Sequence, residues 1–220
     1  MIQTEKQLTE QESLALITQM IKKAKDSCHN TGITSIMWGA VIAVCSLVKL
    51  SELQFDYRFP FDIYLLALVA VIPQVFISIR EKKKRKVKSY DDVFMDYLWL
   101  GFGISIFLLI FINNSLYHEI SGYKNPAGQS AVNVLYEYIS PLFLLLYGMP
   151  TFVSGVSMKF KPMIFGGILC WVCCIIAIYT PIKIDLLLTA FSAVFAWLIP
   201  GIIMEKDYRK AKRGLAEANV

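Results

Sequence analysis

The chain has 220 residues, of which 56% are hydrophobic and 18% are charged, with a formal net charge of +5 and a mean hydropathy of +0.53. Soluble domains contain roughly 45–50% apolar and about 25% charged residues. This composition excludes a soluble enzyme, a disordered regulator and a secreted disulfide scaffold. It indicates a polytopic membrane protein.

The hydrophobic residues are concentrated in six continuous blocks. A helix needs about 20 apolar residues to cross a hydrocarbon core ~30 Å thick, and each block has a length in the usual range of about 17–25. The runs are continuous rather than alternating, so they predict helices and not barrel strands. We therefore expect an all-α polytopic membrane protein with one domain, residues 33–204, formed by a bundle of six transmembrane helices. The predicted spans are 33–50, 63–79, 93–112, 139–158, 163–180 and 186–204.

The distribution of basic residues predicts the orientation, because Lys and Arg accumulate in cytoplasmic segments. All but four of the 22 basic residues lie in segments 1–32, 80–88, 159–161 and 205–220. These segments alternate along the chain with segments of the other side, which hold Lys49, Arg58, Lys124 and Lys183. The pattern predicts an inner (plasma) membrane protein with both termini cytoplasmic, ending in a basic tail over residues 205–220.

The N-terminal segment 1–32 contains a predicted amphipathic helix over residues 9–26. Leu14, Ile17 and Ile21 recur at helical spacing, with lysines on much of the opposite face. Such a helix could lie on the inner leaflet, pack under the bundle or bind a cytoplasmic protein. We expect it to be the site of any cytoplasmic protein partner.

The basic segment after the second block is a candidate contact for anionic lipid, because Lys and Arg near a membrane surface attract acidic headgroups. The alternative is that the segment only determines topology. No aromatic residues are interleaved to stack on bases, so no nucleic-acid partner is expected. The residues concerned are Arg80, Lys82, Lys83, Lys84, Arg85, Lys86 and Lys88.

Catalytic residues are scarce in this sequence. His29 and His118 are the only histidines, and no hydrolase, metalloprotease or P-loop motif occurs. Cys170, Cys173 and Cys174 share one helix face, which would suit a membrane thiol oxidoreductase. They fall in the middle of a span, however, where cysteine packs as a small hydrophobic residue and lacks the access that a redox thiol needs. We therefore expect a non-enzymatic protein without cofactor or metal.

A polar pathway for a proton or cation is a second hypothesis. It would use Asp92 and Asp96 at the start of the third block, with Gln74 in the second. The alternative is that the two acids begin a helix, where negative charge complements the helix dipole. Prolines and small residues inside the blocks fit either transporter hinges or close helix packing. Phe165-Gly166-Gly167 also weakly repeats Trp38-Gly39-Ala40, as expected for a parallel internal repeat.

Several stretches together resemble one family over nearly the whole chain: Glu12–Ile21, Tyr97–Gly103, Tyr147–Gly155, Phe160–Gly167 and Ile199–Ile203. The sequence is similar to an uncharacterised family of small six-span inner-membrane proteins of Bacteroidetes-type bacteria. The shared motifs are packing and kink patterns. The resemblance implies the six-span fold and assigns no activity or residue role.

The expected function is that of a sensor, scaffold or regulator acting through its cytoplasmic face. A small-molecule or ion transporter or channel is the alternative, and a thiol oxidoreductase is the third. The expected partners are the lipid bilayer, a cytoplasmic protein bound through residues 9–26, and a second copy of the chain.

Overall fold

The computed structural model describes residues 31–57, 59–61, 63–84, 90–120 and 131–217, together with single positions 9, 11 and 14. All regular structure within these ranges is helical. The predicted amphipathic helix 9–26 lies outside the described residues except at those three positions. The helices are α1 (Ile33–Phe55), α2 (Leu65–Lys84), α3 (Tyr90–Ile120), α4 (Ala131–Ser157), α5 (Lys161–Ala177) and α6 (Ile182–Ala193), then a π-helical segment (Val194–Leu198) and α7 (Ile199–Glu217).

Each predicted block corresponds to one helix or, for the last block, to α6, the π segment and the start of α7. The helices are longer than several blocks, because polar residues at a membrane surface continue a helix without entering the bilayer. Helices α3 and α4 extend into residues 113–120 and 131–138, between the third and fourth predicted spans, so only 121–130 lie between the two helices, and those residues are not described. The expected basic tail is likewise helical as far as Glu217.

Among the described residues, four helices are long and apolar enough to cross a membrane, namely Ile33–Phe55, Val93–Tyr117, Tyr138–Ser157 and Ile182–Gly214. The other two described helices are not among these four, for identifiable reasons. Helix α5 is apolar but only 17 residues long. Helix α2 ends in charged residues at positions 80–84, so its apolar part is shorter than the helix. The protein is thus all-helical, with several helices suited to a bilayer.

The last helix forms the centre of the bundle. Helices α6 and the π segment contact α1 and α5, α6 also contacts α4, and the pair α4 and α5 shares the most extensive interface. Helix α3 packs against α4 with most of its apolar side chains exposed, and α2 packs against α1. The start of α1 and the end of α2 are joined by a hydrogen bond from the Thr31 hydroxyl to the Glu81 carboxylate.

Glycines allow the closest helix approaches around the π segment. A methyl group on Gly39 of α1 would lie 2.6 Å from the backbone nitrogen of Leu198, and one on Gly166 of α5 would lie 2.5 Å from the Cα of Ala196. These distances leave no room for a side chain, so glycine is required at both positions. The two weakly repeated sequence motifs therefore place their glycines against the same five-residue segment. Small residues at helix crossings are typical of membrane bundles.

Candidate functional site

The π segment is an interruption of the last helix, and it lies beside a second interruption in α4. The backbone N–H of Ile199 bonds the carbonyl of Val194, five residues earlier. Pro200 follows at once and has no N–H to donate. Helix α4 contains Pro150 in its interior. Single-turn π segments occur frequently at functional sites, so the region between these two interruptions is the candidate site.

A buried hydrogen-bond chain links the two interruptions. The indole Nε1 of Trp197 donates to Thr151 Oγ1 at 2.7 Å, and that hydroxyl donates to the carbonyl of Tyr147 at 2.6 Å. Thr151 is fully buried and Trp197 is nearly so. In a membrane bundle an interhelical hydrogen bond contributes about 0.6 kcal/mol and up to about 1.7. The chain thereby fixes the position of the π segment against α4.

Aromatic rings fill the space around Trp197. Its ring centroid lies 4.9 Å from that of Tyr147, 6.3 Å from that of Phe102 and 6.4 Å from that of Trp99. The tilted and edge-to-face arrangements are those that aromatic quadrupoles favour. The peripheral helix α3 contacts the π segment through Trp99 and Phe102. A displacement of α3 would therefore change the packing around the π segment, and the reverse also holds.

A polar stripe lies along the buried face of α6. Asp185, Thr189 and Ser192 follow at helical spacing and all three are buried, Asp185 completely so. The Thr180 hydroxyl donates to Asp185 Oδ1 at 2.6 Å, and the Thr189 hydroxyl donates to the Asp185 carbonyl at 2.8 Å. The Cys170 thiol of α5 lies beside Ser192. The polar face of α6 is therefore turned into the bundle.

The sequence analysis did not single out Asp185, and its burial was therefore missed. The polar spacing of Asp185, Thr189 and Ser192 on an otherwise apolar helix was the signal that could have found it. Buried carboxylates are held by hydrogen bonds in proteins, and Thr180 supplies one here. The residue lies at the N-terminal end of the polar stripe, in the first turn of α6.

The predicted polar pathway is placed as follows. Gln74 accepts a hydrogen bond from Trp38 Nε1 at 3.1 Å and donates one to Ser78 at 3.1 Å. Asp96 is exposed on the surface of α3, and Asp92 lies one turn earlier on the same helix. Because α2 packs on α1 and α3 packs on α4, Gln74 belongs to one helix pair and the two acids to another. The pathway stays a prediction.

The predicted lipid-contacting residues begin on a helix rather than in a loop. Arg80 and Lys83 are exposed in the last turns of α2, which also contains Lys82 and Lys84. Residues 85–89, with Arg85, Lys86 and Lys88, lie outside the described part of the chain. The helical end presents its basic side chains on the same side of the bundle as the start of α1, as the bond between Thr31 and Glu81 indicates.

The cysteines predicted as an alternative redox group are buried in the bundle. Cys170 and Cys173 are 1% and 3% exposed, Cys174 is half-buried, and none of the described cysteines forms a disulfide. Within the described ranges, no group of three or more His, Cys, Asp or Glu side chains could hold a metal ion. The arrangement at Cys170 resembles a packing contact more than an accessible redox centre.

The fold and the core define an all-helical protein with several helices apolar enough to cross a membrane. No protein-family model matches the chain, and comparisons with curated proteins and with solved structures gave no match.

Proposed function

We propose that the chain is a six-span inner-membrane protein with both termini cytoplasmic, similar to the small six-span family, and that it acts as a sensor or regulatory scaffold. The observation that carries this proposal is the continuous helical run from Ile182 to Glu217. It contains the buried Asp185 in its first turn, passes through the π segment and ends in a basic stretch outside the apolar bundle. One structural element thus connects the polar core to the face that would meet a partner.

We propose that the π segment allows this helical run two discrete arrangements. In the π form the N–H of Ile199 bonds the carbonyl of Val194, whereas in an α form it would bond that of Phe195. Loss of the extra residue from the turn would rotate everything beyond it by about 100°. A signal carried between two sites requires such an element with two discrete states. We propose that this change of turn alters the surface that α7 presents to a cytoplasmic protein.

The exposed part of α7 is suited to recognition of an acidic surface. Lys206, Arg209, Lys210, Lys212 and Arg213 are all exposed, and Glu205 forms a 2.8 Å ion pair with Arg209. Rim charges of this kind affect association rate and specificity more than affinity. The predicted helix 9–26 is proposed to share this role, on the same side of the membrane.

The test is affinity capture from native membranes after mild crosslinking, with bound proteins identified by mass spectrometry. Deletion of residues 1–26 should abolish capture of a stoichiometric partner and leave the bundle folded. Deletion of Phe195 alone should convert the π segment to an α turn and reduce capture, whereas Phe195→Leu, which keeps the chain length, should capture as the wild type does. Wild-type capture by both deletion variants would overturn the proposal.

A transporter or channel is the second candidate, favoured by the meeting of two interrupted helices at Thr151 and Trp197. Interrupted helices commonly form the substrate site of secondary transporters. Proton and cation flux into liposomes containing the purified protein would support this function. A thiol oxidoreductase is the third candidate, and unchanged cellular function of a variant with alanine at positions 170, 173 and 174 would eliminate it.

A further inference from the structure

A groove of about 430 Å³ runs between α5 and the last helix on the outer surface of the bundle. Phe165, Ile168 and Val172 form one wall, and Phe195 and Ile199 form the other. All five side chains are exposed, and every residue lining the groove is apolar. The groove therefore faces the surrounding lipid and is suited to a hydrocarbon chain.

The length of the groove matches one leaflet of a bilayer. It follows α5 from Pro162 to Val172, which is about 15 Å of helix at 1.5 Å per residue. The hydrocarbon core is about 30 Å thick, so the groove covers the depth of a single leaflet. One acyl chain of a phospholipid has this reach. The floor is fixed by the close approach of Gly166 to Ala196, which keeps the two walls from spreading.

Positive charge lies at the end of the groove that would meet the headgroup. Pro162 is immediately preceded by the turn between α4 and α5, where Lys159 and Lys161 are both exposed. The sequence contains no Asp or Glu between residues 138 and 184. The lysines are therefore not neutralised from their own helices. An anionic headgroup would complement this end, and a zwitterionic one would not.

Lys159 occupies a backbone conformation that is unusual for lysine. Its φ is 53°, in the left-handed region, where glycine or asparagine normally ends a helix. The bonds from Lys159 N to Val156 O at 3.1 Å and from Phe160 N to Gly155 O at 2.8 Å complete a Schellman motif. A glycine here would relieve strain and lose the charge. A glycine substitution at this position therefore removes the lysine charge while the turn between α4 and α5 is kept.

We propose that this groove binds one anionic phospholipid, with an acyl chain between α5 and the last helix and the phosphate beside Lys159 and Lys161. In the predicted orientation the site belongs to the cytoplasmic leaflet. It is distinct from the predicted lipid contact at residues 80–88, which begins on α2.

The test is native mass spectrometry of the full chain in detergent, titrated with palmitoyl-oleoyl phosphatidylglycerol or with phosphatidylcholine of the same acyl chains. The wild type should retain one phosphatidylglycerol per chain in preference to phosphatidylcholine. The double variant Lys159→Gly, Lys161→Gln should lose this preference by about fivefold for each lysine, which corresponds to about 1 kcal/mol per near-surface charge. Thermal unfolding followed by circular dichroism should show that it is at least as stable as the wild type, because glycine removes the left-handed strain.

Matched controls separate the groove from the general lipid surface. Ile168→Trp should fill the groove and abolish retention of both lipids, whereas Ile175→Trp, on the same helix outside the groove, should bind as the wild type does. Lys212→Gln, an exposed lysine of α7, should also leave binding unchanged. Wild-type binding by the double lysine variant and by Ile168→Trp would overturn the proposal. The proposal would also be overturned if the two control variants lost as much lipid binding as the test variants. It would be overturned as well by a dimer that dissociates in the Ile168→Trp variant and is unaffected by phosphatidylglycerol.

Discussion

The indole N–H of Trp197 donates to the hydroxyl of Thr151 across 2.7 Å, and this bond joins the π segment of the last helix to the proline-containing helix α4. Neither group can form a hydrogen bond with bulk water instead, because both residues are buried. The bond therefore favours the arrangement of the two helices in which both groups are satisfied, and it holds the π segment against α4 in that arrangement.

Removing this hydrogen bond should destabilise the bundle without creating a large cavity. Trp197→Phe removes the donor and keeps an aromatic ring, and Thr151→Val removes the acceptor at nearly constant volume. Each should lower the free energy of unfolding by about 1 kcal/mol, measured by titration with SDS and circular dichroism. The double variant should lose less unfolding free energy than the sum of the two single losses, because both substitutions remove the same hydrogen bond. Fully additive losses would mean that the bond contributes nothing.

Two glycines on different helices should respond oppositely to alanine. At Gly166 a methyl group would lie 2.5 Å from the Cα of Ala196, whereas at Gly103 nothing lies within 4 Å of the added atom. Gly166→Ala should therefore lower the free energy of unfolding by about 1–3 kcal/mol through overpacking. Gly103→Ala should leave it unchanged or raise it, because alanine favours helix by up to about 1 kcal/mol. Equal stability of the two variants would contradict the close approach.

Asp185 should stabilise the N-terminal end of α6 through its hydrogen bond with Thr180. Asp185→Ala removes the acceptor of the 2.6 Å bond and should lower the free energy of unfolding by about 1–3 kcal/mol. Asp185→Asn keeps an acceptor oxygen and should cost less. Asp207→Ala, at an exposed position of α7, is the control and should have little effect. An Asp185→Ala variant as stable as this control would show that the buried carboxylate contributes no net stability.

The buried cysteines should resist modification in the folded protein. Cys170 and Cys173 are almost completely buried, so a maleimide added to native membranes should leave both unmodified, and Cys174 should react slowly. All three should react after denaturation, with the labelled peptides identified by mass spectrometry. Rapid native labelling of Cys170 would instead favour the thiol oxidoreductase.

Single cysteines in a cysteine-free background should show whether α2 crosses the membrane. With six spans and a cytoplasmic N-terminus, Ser89→Cys is cytoplasmic and Ser121→Cys is on the outer side. If only the four long apolar helices crossed the membrane, the two positions would exchange sides. A membrane-impermeant maleimide applied to intact cells should label position 121 and not position 89. With a cytoplasmic N-terminus, the opposite result would remove α2 from the spans.

The sequence was sufficient to locate the helices, because a long apolar run in a bilayer must satisfy its backbone locally, and only a helix does so. It did not reveal the π segment at Val194–Leu198, whose geometry depends on contacts with Gly39 and Gly166 from distant parts of the chain. The burial of Asp185 was missed for a related reason. A residue at the end of a span can face water or its neighbours, and only the packing of α6 decides which.

The central position of the π segment has a consequence for the order of assembly. Gly39, Thr151 and Gly166 belong to helices that are synthesised earlier than the segment they contact. Helices α1, α4 and α5 must therefore keep these surfaces uncovered until the last helix packs between them. Closure of the bundle is a late step in biogenesis, and a ribosome that stalls before residue 194 would leave an incomplete bundle exposed to membrane quality control.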